Sequence, residues 1–183
     1  MPRIQPVAPE KTAGKVQTQL AAIGKKLGVV PNLMKTLARS PAALDGYLGL
    51  SGALAAGKLR AALREQIALT VAERNSCDYC LAAHTALGAA AGLDEAAILA
   101  ARRGEAADLG AAAALRFARA VVDARGGVSD AALEAARAAG LGEGDLIEIV
   151  AHVALNVLTN YVNRVAQTDV DFPQAPVLET KAA

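Results

Sequence analysis

The chain has no tryptophan, two phenylalanines and three tyrosines in 183 residues, and only two cysteines and two histidines. So few aromatic side chains leave almost no platform on which single-stranded bases could stack. A net charge of +1 supplies no general field for nucleic acid or a membrane surface. The one local bias is residues 1–39, where Arg3, Lys11, Lys15, Lys25, Lys26, Lys35 and Arg39 face a single acid, Glu10. No aromatic is interleaved there, so it reads as a solvated helix face. Met1-Pro-Arg-Ile-Gln-Pro is followed by no apolar run of the signal-peptide kind. The most apolar segment, 146–165, is interrupted by Glu148, His152, Asn156, Asn160 and Asn163, and does not read as a membrane span. Cytoplasm is the default expectation, and two cysteines there point to redox or metal chemistry rather than to a structural staple.

Alternating strand patterns are also missing, and the segments read as helices separated by glycine stops. The expectation is one all-α domain over residues 1–183, with 1–9 and 174–183 as extended tails. Helices are expected at about 10–27, 32–39, 41–55, 60–74, 77–91, 95–103, 108–124, 130–139 and 143–167. Ser40-Pro41, Asp94 and Ser129 offer cap chemistry, and Gly28, Gly92 and Gly126-Gly127 offer stops. Hydrophobic residues make up 54% of the chain, mostly small ones, and a core so thinly filled implies apolar surface buried between subunits. A homo-oligomer is therefore expected. Tyr47, Phe117 and Met34 read as core, and Glu73 and Asp78 as cap or surface charges.

The stretch Glu65 to His84 holds both cysteines and one histidine. Leu63, Ile67, Thr70, Val71 and Arg74 follow a helical period, and Asn75-Ser76 predicts a break with one of the two capping a second helix. Cys77 then falls in that helix's first turn, where free N–H groups and the helix dipole favour a thiolate. Cys77, Cys80 and His84 share one face at i, i+3 and i+7, with sulfurs one turn apart and able to form a disulfide. His84, four residues beyond Cys80, is placed to act as its base or proton shuttle. Along one straight helix Glu65 would lie about 18 Å from Cys77. If the helices fold back near Asn75, its carboxylate instead comes level with the imidazole of His84, where it can orient and charge-stabilise the ring.

The same residues admit a different chemistry. Cys77, Cys80 and His84, joined by Glu65 or His152, are donors that suit zinc, although Cys-x2-Cys-x3-His on one helix supplies only three. A third possibility is a helical module whose cysteines sense redox state without turnover. Haem attachment is excluded, because histidine does not directly follow the second cysteine. In the last helix, His152, Asn156, Asn160 and Asn163 form a polar stripe at i, i+4, i+8 and i+11. It faces solvent, as ordinary amphipathicity would have it, or it faces a subunit interface or the site, where buried amides must be hydrogen-bonded.

The spacing Glu-x11-Cys-x-Tyr-Cys-x3-His resembles the core motif of the AhpD-like, or carboxymuconolactone decarboxylase, superfamily. Leu63-Arg-Glu-Gln-Ile-Ala-Leu, Val29-Val-Pro31-Asn32-Leu-Met, Asn160-Tyr-Val-Asn163-Arg and Asp171-Phe-Pro173 resemble its peroxidase-related, alkylhydroperoxidase-like branch. The resemblance implies an all-helical homo-oligomer, trimer or hexamer, with a central helix hairpin. It implies a dithiol–disulfide cycle that reduces an organic hydroperoxide at the expense of an external dithiol, with no cofactor or metal. Cys80 matches the peroxide-attacking cysteine, Cys77 the resolving one, and Glu65 and His84 the proton relay. Tyr79 stands where the best-studied peroxidase members carry a second histidine; a phenol is a poor base near neutral pH, so the relay is shorter here. The family's decarboxylases typically lack the cysteine pair, which argues against that reaction. The polar stripe's likeness to the family's C-terminal segment favours an interface for it.

Overall fold

A computed structural model describes residues 1–178, and every regular element among them is helical. After a short 3-10 turn at Pro9–Lys11 come α1 (Gly14–Leu27), α2 (Asn32–Leu37), α3 (Pro41–Ala55), α4 (Ala61–Arg74), α5 (Asp78–Ala90), α6 (Glu95–Arg102), α7 (Leu109–Asp123), α8 (Asp130–Ala138) and α9 (Glu143–Ala166). The caps fall at the expected residues: the side chains of Ser40, Asp94 and Ser129 accept from the backbone N–H three residues on. α1 differs from expectation by starting at Gly14 rather than Glu10, because residues 9–11 make the separate 3-10 turn and Gly14 takes a positive φ. Residues 179–183 of the expected C-terminal tail lie outside the described residues.

α4 is the centre of the bundle. Seven consecutive residues, Gln66 to Ala72, are buried, which on a helix means that every side is covered. α5, α6, α7 and α9 do the covering. Ile67, Leu69, Leu115, Ile149, Leu20 and Leu44 are fully buried, each side chain contributing about 1.5–3 kcal/mol by leaving water. Phe117 and Met34 lie in this core as expected. Glu73 is not a plain surface charge: it pairs at 2.7 Å with Arg102, whose buried guanidinium needs a counter-charge.

α9 holds both ends of α4. Near its start the Glu148 carboxylate accepts from the backbone N–H groups of Lys58 and Leu59 at 3.0 and 2.9 Å, just ahead of α4. A side chain at Gly57 would collide with that carboxylate. Near its end Asn160 Oδ1 accepts from Asn75 Nδ2 at 2.8 Å, and Arg164 donates to the Asn75 carbonyl, just after α4. The two helices therefore run side by side in the same direction, the span 148–164 of α9 matching the span 59–75 around α4 residue for residue.

The polar stripe of α9 faces inward. His152, Asn156, Asn160 and Asn163 are all buried within the single chain, and Asn160 is wholly inaccessible. This corrects the expected subunit interface: Asn160 bonds instead to the α4–α5 turn and Asn163 to the site, while Asn156 donates to the His152 carbonyl of its own helix. The outer face of α9 carries Ile147, Leu158, Tyr161 and Val165, all exposed. By length and hydropathy α9 could cross a membrane, yet in the fold it is a core helix packed on α2, α3, α4, α5 and α7.

Asn160→Leu should lower stability by about 1–3 kcal/mol in urea denaturation, since it orphans Asn75 Nδ2, and should leave the oligomer mass unchanged by light scattering. His152 yields a pH prediction. Burial holds its pKa below the ordinary histidine value against the pull of the Glu148 and Glu65 carboxylates, with Arg64 adding to the depression. The unfolded chain then binds this proton more readily, so stability should be intact above about pH 6.5 and fall below it. The denaturation midpoint should drop between pH 7.5 and 5.5, and His152→Gln should flatten that drop.

Candidate functional site

The site is built on the turn between α4 and α5. Cys77 N–H bonds to Ala72 O at 3.0 Å and Ser76 N–H to Glu73 O at 3.1 Å, with Ser76 in the left-handed region at φ 49°. This paired arrangement is the Schellman stop, with serine where glycine is usual. Cys77 is at once the second residue past the C-cap Asn75 of α4 and the N-cap of α5, so the reversal takes only three residues. The expected helix break at Asn75 is where it was placed. The cap is not: Cys77 itself replaces Asn75 or Ser76 in that role, its Sγ accepting the N–H of Cys80 at 3.3 Å.

Cys77 and Cys80 are joined as a disulfide, with Cα atoms 5.3 Å apart, and both are buried. Asn163 Nδ2 donates to Cys80 Sγ at 3.3 Å, while Asn163 Oδ1 is buried with no partner among the described residues. Each sulfur thus has one donor, the backbone for Cys77 and a side-chain amide for Cys80. A thiolate would be stabilised by either.

One turn beyond Cys80, His84 Nδ1 lies 2.8 Å from Glu65 Oε2. The fold-back does bring together residues that a straight helix would hold far apart. Both side chains are about one-fifth exposed, so the pair sits at the edge of the core and solvent can exchange protons with it. With Nδ1 on the carboxylate, Nε2 is the nitrogen left for proton transfer.

Tyr79 is brought elsewhere. Its hydroxyl accepts the Leu33 N–H at 3.1 Å and its ring meets Phe172 edge-on at 5.7 Å. Burial above all, with the Asp171 carboxylate beside it, raises the phenol's pKa and keeps it protonated. Asp171 in turn accepts from Asn32 N–H at 2.7 Å. Tyr79 therefore ties the cysteine-bearing start of α5 to α2 and to the C-terminal strap, residues 168–178, and stands outside the Glu65–His84 pair. The zinc arrangement is not formed: among the described residues no three His, Cys, Asp or Glu side chains gather as a metal-holding group, and the two sulfurs bind each other. Asn163 is the site contact that the sequence reading did not assign; its place in the polar stripe was the available signal.

Fold and site together define an all-helical protein with a cysteine pair on a helix hairpin, equipped for thiol redox chemistry. Residues 41–124 match the Carboxymuconolactone decarboxylase family, a stretch that includes Glu65, Cys77, Cys80 and His84. The matched stretch carries the whole helix hairpin and spans slightly less than half of the chain. A peroxidase-related protein of Ralstonia eutropha JMP134, described as an alkylhydroperoxidase AhpD core, superposes with a TM-score of 0.84 at 24% identity, over 93% of this chain and 92% of its own. A peroxidase-related protein of Silicibacter sp. TM1040 gives 0.77 at 24% identity over 91% and 92%. The debrominase Bmp8, as a cysteine-to-alanine variant in complex with 2,3,4-tribromopyrrole, gives 0.78 at 19% identity over 92% and 91%. No curated protein sequence matches significantly. The fold is thus shared by peroxidase-related proteins and a debrominase.

Tyr79→Phe should cost about 1–3 kcal/mol of stability, because the buried Leu33 N–H loses its acceptor. Thermal denaturation checks it.

Proposed function

We propose that the protein reduces organic hydroperoxides through a Cys77/Cys80 dithiol–disulfide cycle. The observation that supports this best is the Glu65–His84 pair at 2.8 Å, one helical turn beyond a cysteine that is already disulfide-bonded to its neighbour. In the reduced protein, His84 draws the proton from Cys80. The Cys80 thiolate attacks the distal oxygen of the hydroperoxide, the O–O bond breaks, and the leaving alkoxide takes the proton from His84 as an alcohol. Glu65 holds the ring in the tautomer that permits this and stabilises the imidazolium. Cys77 then attacks the Cys80 sulfenic acid, forming the disulfide and releasing water. An external dithiol restores both thiols and is itself oxidised to a disulfide. Hydroperoxide and dithiol thereby become alcohol, water and disulfide.

Helix position favours ionising Cys77, whereas His84 and Asn163 favour Cys80. The imidazole does more for the reaction than a partial dipole, since it also supplies the proton to the leaving group; Cys80 is therefore taken as the attacker. A reducing compartment, the cytoplasm, fits the need for a dithiol. Self-association belongs to the same proposal, on the exposed apolar residues Ile147, Leu158, Tyr161 and Val165 along α9. Light scattering would read it directly.

With dithiothreitol as reductant, the protein should consume an organic hydroperoxide over many turnovers. Cys80→Ser should abolish this, and His84→Gln should slow it by about 100-fold or more. A sulfenate trap should label Cys80 in the Cys77→Ser protein. Label on Cys77 in the Cys80→Ser protein, with none on Cys80 in the reverse variant, would exchange the two roles. A disulfide that forms once without sustained consumption would make the protein a redox sensor.

A further inference from the structure

Both cysteines are shielded: Cys77 is 1% and Cys80 2% exposed. One cavity of about 350 Å³ touches the pair, and it does so from one end: Cys77 lines it, whereas Cys80, His84 and Glu65 do not. Its wall is polar. Asn163, Arg164 and Thr168 contribute, and Asn163 Oδ1 and Thr168 Oγ1 are both buried without a hydrogen-bond partner among the described residues. Unpartnered polar atoms of this kind are costly to bury unless something hydrogen-bonds to them in another state. Val170, about half exposed, lines this cavity and also a second, more apolar one of about 410 Å³ beneath the C-terminal strap.

We propose that this polar cavity is the entry site for the reductant, a small dithiol with hydrogen-bonding groups, and that Sγ of Cys77 is the sulfur it attacks. This rests on the dithiol–disulfide cycle given above and assigns its reductive half a separate entrance. One thiolate of the reductant attacks Cys77 Sγ; a reductant–Cys77 bond forms, the Cys77–Cys80 bond breaks, and the electron pair leaves on Cys80. Asn163 Nδ2 is already placed to donate to that departing thiolate at 3.3 Å. The reductant's second thiol then attacks its own bound sulfur, closing it into a disulfide and freeing Cys77, whose sulfur keeps the Cys80 N–H as donor. Two electrons pass from the dithiol to the protein, and its two protons end on the cysteine thiols. The free Asn163 and Thr168 oxygens bind the polar groups of the incoming molecule. Arg164 and Asp78, both exposed, line the same wall with opposite charges, so it suits polar groups of a neutral molecule.

Two single-cysteine proteins test which sulfur faces the opening. With the neutral disulfide 4,4′-dithiodipyridine, at pH values where each rate has reached its plateau and ionisation no longer matters, Cys80→Ser (lone Cys77) should react at least tenfold faster than Cys77→Ser (lone Cys80). Equal rates or the reverse order would overturn the assignment. In the otherwise unaltered protein, Val170→Trp should fill the opening and slow single-turnover reduction of the disulfide by dithiothreitol at least tenfold. The same substitution in the Cys77→Ser background should leave sulfenate formation at Cys80 within twofold. Slowing of both halves alike, in a variant whose circular dichroism and melting temperature are unchanged, would show that they share one entrance and defeat the proposal. Absence of hydroperoxide turnover alongside a fast lone Cys77 would instead defeat the peroxide reading and leave the entrance in place.

Discussion

The whole site depends on one backbone constraint, the three-residue reversal Asn75-Ser76-Cys77. A longer loop would let α5 swing away from α4, and the Glu65 carboxylate would no longer meet His84. The reversal is short because Cys77 serves two helices, closing α4 through its N–H and opening α5 through its sulfur. A non-glycine residue held at positive φ costs energy, which the surroundings must offset. α9 does so from one side, with Asn160 and Arg164 both bonded to Asn75. From the other, the C-terminal strap holds Tyr79 through Phe172 and Asp171.

This arrangement explains why a long, apolar helix should carry a line of buried polar residues. Asn160 binds the turn, Asn163 binds a cysteine sulfur, and His152 lies near Glu65 and Arg64 at the other end of α4. The inner face of α9 therefore mixes apolar core residues, Leu146, Ile149 and Val153, with the polar wall of the site, while its outer face keeps exposed apolar residues. A buried amide with no better partner costs more than it returns, so such a line persists where it sets a register between helices.

The chemistry separates along the cysteine pair. On the His84 side lies a partly exposed acid–imidazole couple, the proton relay of the proposed cycle; on the Cys77 side a polar cavity opens with neither of those residues in its wall. Two sulfurs one helical turn apart can thus present different faces to different reactants while staying close enough to bond. The fold also hosts a debrominase, so the scaffold does not dictate the substrate. In this chain it holds a shielded cysteine pair beside an acid–imidazole couple.

Much of this was legible from residue order. The 3.6-residue period, the Ser40, Asp94 and Ser129 caps and the glycine stops placed every long helix within a few residues, because those signals act within one or two turns of chain. The spacing of Glu65, Cys77, Cys80 and His84 about Asn75 also set which groups could meet, since helical rise is constant. Three things were decided only by tertiary packing. The stripe on α9 turned inward rather than toward a partner, Tyr79 bonded to α2 rather than joining the proton pair, and Asn163 reached Cys80 across 83 residues of sequence. Each depends on where a distant segment comes to rest, and periodicity, which records only that a face differs from its opposite, holds no information about what that face will touch.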